Sequence, residues 1–114
     1  MIDLSYFIQI SGNKPSFLLR VMNIFIHETP KDLQELALNY QKMNYQKVKE
    51  ISHQLKGLFK SYNLEELFAS TVALERFAKE NRFSQDTDIL LNTIMSAYET
   101  ARIEMIQLTE EYKT

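Results

Sequence analysis

In Val48-Lys49-Glu50-Ile51-Ser52-His53-Gln54-Leu55-Lys56-Gly57-Leu58-Phe59-Lys60-Ser61-Tyr62 the apolar residues Val48, Ile51, Leu55, Leu58, Phe59 and Tyr62 recur at helical spacing. At roughly 100° per residue, Ile51 and Leu55 lie about 160° from His53 on either side and Tyr62 about 180° away. His53 is therefore opposite the apolar stripe and faces solvent. The positions around it are Gln46, Lys49, Glu50, Lys56, Gly57 and Lys60, a face with three lysines, one acid and no apolar side chain. Gly57 costs such a helix about 1 kcal/mol relative to alanine and packs nothing. One gain from it is room for a partner to reach the imidazole; the plain alternative is a glycine tolerated by chance.

The same period continues on both sides. Upstream, Phe17, Leu18, Val21, Met22 and Phe25 form one stripe and Leu33, Leu36, Ala37 and Tyr40 another, with Pro30 between them either kinking one long helix or separating two. Downstream, Leu64, Leu67, Phe68, Leu74 and Ala78 follow Asn63, which with Glu66 offers an N-cap and a partial capping box. Leu90, Ile94, Ala97, Ala101, Met105 and Leu108 follow the polar run Ser84-Gln85-Asp86-Thr87-Asp88, a source of acids for a first helical turn. Two glycines and two prolines are too few for an all-β chain. Short connections predict an all-α, up-down antiparallel four-helix bundle, with the first ten residues as a short helical lid.

With 114 residues the chain, 1–114, reads as a single domain with one core. Thirteen basic against fifteen acidic residues give a net charge of −2, so no basic field gathers nucleic acid or anionic lipid. The absence of cysteine excludes disulfides and thiolate chemistry and suits a cytoplasmic protein. The first residues read as neither a signal peptide nor a membrane span. Five methionines and thirteen aromatic residues fall mostly at core positions, so no cofactor site is read into them, and no cluster has metal-ligand spacing. With glycine only at 12 and 57 there is no phosphate loop, hence no ATP-dependent kinase activity. His27, before Glu28-Thr29-Pro30, reads as a residue of a helix C-terminal turn.

His53-Gln54-Leu55-Lys56-Gly57 resembles the H-x-L-K-G signature of histidine-containing phosphotransfer (HPt) domains of two-component phosphorelays. Phe25 upstream, a polar turn near Asn44 and Leu74-Glu75 in the next helix follow in the family's order, over about residues 15 to 108. Leu58 and Phe59 stand where the family often has small residues, and Asn63 where it usually has glycine; both departures bear on partner preference more than on the histidine. The resemblance implies a phosphoprotein whose His53 exchanges a phosphoryl group with the aspartate of response-regulator receiver domains, with a hybrid sensor histidine kinase as a further partner. It also gives Lys56, at i+3 from His53, the part of stabilising phosphoryl charge.

Glu75 is twelve residues past Asn63 and His53 ten before it, so on antiparallel helices they lie at similar height. There Glu75 orients the imidazole, as polar residues at this place do in the family, or is one more exposed acid. Lys49, Lys60, Gln46 and, less strongly, Lys79 read as docking residues. The simplest assembly is a monomer that meets receivers transiently, without cofactor or metal. The competing reading is a helical adaptor that binds receiver or kinase domains and never carries phosphate.

Overall fold

The computed structural model of the chain describes residues 2–113, and among them it has six helices and no strand. They are α1 (Ser5–Ser11), α2 (Pro15–His27), α3 (Thr29–Gln41), α4 (Tyr45–Ser61), α5 (Glu65–Lys79) and α6 (Gln85–Lys113). Met1, counted above in the lid and among the methionines, lies outside the described residues, as does Thr114. The all-α expectation holds. α3 packs on α4, α4 on α5, α5 on α6 and α6 back on α2. At 29 residues α6 spans about 43 Å, which matches the 46 Å long dimension of the molecule.

The core is built from the predicted stripes. Leu18, Met22, Phe25, Leu36, Val48, Leu55, Phe59, Leu67, Leu74, Ile94 and Met105 are buried, each contributing about 1.5–3 kcal/mol for the larger side chains. Tyr62 and Tyr98 join them through satisfied hydroxyls, donating to the carbonyls of Val21 at 2.8 Å and Phe25 at 2.5 Å. Burial pushes both phenols well above their ordinary range. Among the aromatic residues and methionines, Tyr6 and Met43 depart from the core expectation and are exposed.

Pro30 kinks the chain more than it separates two helices. α2 ends at His27 and α3 begins at Thr29, but Glu28 between them keeps right-handed helical angles (φ −93°, ψ −39°). Proline has no N–H to give the carbonyl of Ile26, four residues back, and Arg102 Nε of α6 donates to that oxygen instead, at 3.2 Å. The Phe25 carbonyl at the same break takes the Tyr98 hydroxyl. His27 is in the last turn of α2, as expected, and is exposed.

The turns after α3, α4 and α5 share one construction. Met43, Asn63 and Asn81 adopt left-handed backbone (φ 56°, 58° and 53°). The next N–H reaches back five residues each time: Asn44 to Asn39 O (3.0 Å), Leu64 to Phe59 O (3.1 Å) and Arg82 to Phe77 O (3.0 Å). Asn63 thus closes α4 and does not cap α5, whose N-cap is Leu64 without a side-chain cap bond. The capping box with Glu66 is corrected accordingly: the left-handed φ turns the Asn63 side chain outward, where its Nδ2 donates to Asp3 Oδ2 at 3.2 Å. The N-terminal segment is held at this turn, with Asp3 N donating to Tyr62 O at 3.2 Å, Ile2 N donating to Glu104 Oε2 at 2.7 Å and Phe7 against the Tyr62 ring. At α6, Asp86 and Asp88 occupy the first turn as expected.

Candidate functional site

α4 opens at Asn44, whose Oδ1 accepts from Lys47 N at 3.2 Å. From there the helical phase is set by Val48, Ile51, Leu55 and Phe59, all buried against the neighbouring helices. The opposite face therefore projects His53 outward, its side chain 68% exposed. Gly57 lies one turn on, and a Cβ added there would meet nothing within 4 Å, so the surface beside the imidazole is open.

The three-residue link Tyr62–Leu64 folds α5 back along α4 and brings Glu75 level with His53. Glu75 is not one more exposed acid. At 3% exposure it is the one buried charged residue among the described residues, and its carboxylate lies between donors. His53 Nδ1 is 2.8 Å from Oε2, Lys56 Nζ donates to Oε1 at 2.6 Å, and Lys79 Nζ, one turn further along α5, stands 3.9 Å from Oε2. Burial by itself would raise the Glu75 carboxyl, but hydrogen bonds from Lys56 and His53 and the charges of Lys56 and Lys79 outweigh it and hold the group below the usual carboxylate range. The group is therefore ionised at neutral pH and can only accept.

That fixes the imidazole. A carboxylate facing Nδ1 requires the ring proton on Nδ1, which leaves the lone pair of the neutral ring on Nε2. Such an arrangement presents an oriented nitrogen nucleophile at an open surface, with a compensating negative charge behind it and two ammonium groups at its flank.

The predicted site residues are distributed as follows. His53, Lys56, Glu75 and Lys79 come together, with Gly57 next to them. Lys56, which the resemblance gives the part of stabilising phosphoryl charge, has its ammonium bonded to Glu75. Gln46 is bonded to Glu50 at 2.9 Å, and Lys60 lies 5.8 Å from the Phe68 ring centroid; both are exposed on α4. Lys49 is half-buried on the same helix. The burial of Glu75 was missed, although a signal existed: Leu67, Thr71 and Glu75 are spaced by four and share the inward face of α5. Val72, three residues before Glu75, is an exposed apolar residue that the periodicity did not single out. No group of His, Cys, Asp or Glu among the described residues could hold a metal ion, and no helix there is long and apolar enough to cross a membrane.

With this geometry established, the comparisons with known proteins converge. A family model described as Hpt domain matches residues 20–111. The crystal structure of histidine-containing phosphotransfer protein B from Pseudomonas aeruginosa superposes with a TM-score of 0.85, covering 97% of this chain and 96% of that one at 18% identity, a likeness of fold. Among curated proteins no sequence matches.

Proposed function

Since the chain belongs to the Hpt domain family, whose members carry out histidine phosphotransfer in phosphorelays, we propose that His53 is the residue through which it does so. The phosphoryl group comes from the aspartyl phosphate of a receiver domain. The Nε2 lone pair attacks phosphorus in line, the N–P bond forms as the P–O bond to aspartate breaks, and the bonding electrons leave with the aspartate carboxylate. The ring becomes positive with its proton still on Nδ1, and Glu75 offsets that charge. Return to a second receiver is the same step reversed. The metal that the acidic receiver site needs is supplied by the partner.

The reading rests on one observation: an ionised, buried carboxylate on Nδ1 of a histidine that is otherwise exposed. Lys56, bound to the same carboxylate, stabilises phosphoryl charge by its field at i+3. Gly57 keeps the approach open. Gln46, Lys49 and Lys60 steer and dock the partner, and Val72 with the half-buried Phe68, three and seven residues before Glu75 on one face of α5, gives the docking surface its apolar part. For the architecture we infer one domain over 1–114, with the kinked α2–α3 column, α4, α5 and α6 as an up-down four-helix bundle and α1 as its lid. It works as a monomer in the cytoplasm, with a hybrid sensor histidine kinase among its partners, as a phosphocarrier without ATP chemistry of its own.

The test is incubation with a phosphorylated receiver domain. Wild type should gain acid-labile, alkali-stable label and His53→Gln none; equal labelling of the two sinks the assignment. Lys56→Ala should slow transfer more than it weakens receiver binding. Normal binding with no label on any protein would instead support the adaptor.

A further inference from the structure

The lysines around His53 outnumber the acids in the sequence, but they do not dominate the surface that a partner meets. Lys56 is bonded to the buried Glu75 carboxylate at 2.6 Å, Lys60 lies 5.8 Å from the Phe68 ring centroid, and Lys49 is half-buried. Glu50, the one acid of this face of α4, is exposed. It precedes His53 by three residues and so stands one helical turn away on the same side. Lys47 and Lys49 are within three residues of it, yet Glu50 makes no ion pair. Its partner is neutral: Gln46 Nε2 donates to Oε2 at 2.9 Å, an i,i+4 bond that steadies the carboxylate and leaves Oε1 free. The two flanks of His53 along α4 therefore differ. Toward Gly57 the surface is open and, one turn on, Lys60 covers the Phe68 ring; toward the start of the helix stands an ordered acid whose charge nothing answers.

We propose that Glu50 selects among receiver domains: it pairs with a lysine or arginine side chain that the receiver presents beside its phospho-accepting aspartate, and so fixes which way round the receiver sits on α4. A carboxylate that has no ion pair to break gains the whole of such a contact, and a receiver with an acid at the same place meets a like charge one turn from the imidazole. Gln46 acts through Glu50, because a side chain already held by a hydrogen bond loses less freedom when the partner docks. The inference rests on the phosphotransfer reading above and deepens it, naming the kind of receiver that fits this face.

The experiment measures the Kd of the full chain for a receiver domain that labels it, in about 0.05 M and about 0.5 M salt. Glu50→Lys should weaken binding about tenfold at low salt and Glu50→Gln about threefold, with both differences shrinking to about twofold or less at high salt. Glu99→Lys makes the same change of net charge on α6, where Glu99 is exposed beside Pro30 and Gln34 of α3, and should bind within about twofold of wild type. Exchanging the basic side chains around the receiver's aspartate for glutamate, one at a time, should yield one receiver that recovers most of its affinity for Glu50→Lys. The proposal is overturned if Glu50→Lys binds within about twofold of wild type at low salt, if Glu99→Lys loses as much, or if no charge-reversed receiver restores binding. Failure of the phosphotransfer reading would look different: wild type would take no label from any receiver, whatever the affinities.

Discussion

At the break between α2 and α3 and on the face shared by α4 and α5, an acceptor has lost water and must be satisfied from another helix. At the break the acceptors are the carbonyls of Phe25 and Ile26, and α6 answers with the Tyr98 hydroxyl and Arg102 Nε. On the face the acceptor is the Glu75 carboxylate, answered by His53, Lys56 and Lys79. The first arrangement is closed: Tyr98 is buried and its one proton is spent on the carbonyl. The second is open, because the imidazole has a second nitrogen and the lysines have further protons, all near solvent. The closed network holds the fold; the open one has capacity left for a reaction.

Three substitutions test that contrast. Tyr98→Phe has the largest expected effect, since it leaves the Phe25 carbonyl buried without its donor and should cost about 1–3 kcal/mol in urea unfolding. Label transfer to the folded variant should stay within about twofold of wild type, and a large transfer defect would erase the division between the two networks. Glu75→Gln should cost less, about 1 kcal/mol at pH 7, and its signature is in acid. A carboxyl held below its ordinary 4.5 when folded stabilises the protein above that value, and the contribution is lost as pH falls through the lowered one. The variant should therefore show a flatter loss of stability below pH 4.5 than wild type. Gly57→Ala should raise stability, by about 0.5–1 kcal/mol, because the added methyl meets nothing. Receiver binding should weaken in the same variant; unchanged binding would make Gly57 an accident of the helix.

The phase of α4 was legible because a solvated histidine opposite a full apolar stripe has one geometric meaning. The turn at Asn63 was half legible: asparagine serves both as an N-cap and as a left-handed C-terminal residue, and the sequence around it satisfied both. Met43 in the same conformation carried no such mark. Glu75 was placed at the right height beside His53, but the sequence left open whether it meets the imidazole or solvent, because exposed glutamates are the rule on helices and only a neighbouring helix with two donors makes an exception. The outcome at Pro30 was not local at all. It depends on Tyr98 and Arg102, which follow the carbonyls they satisfy by 73 and 76 residues.

Those separations also order events in time. His53 and Glu75 are 22 residues apart across a three-residue link, so the hairpin that carries them closes a short loop, whereas the α2–α6 contacts must wait for a loop more than three times as long. During refolding the reactive hairpin can assemble while the longest helix is still undocked.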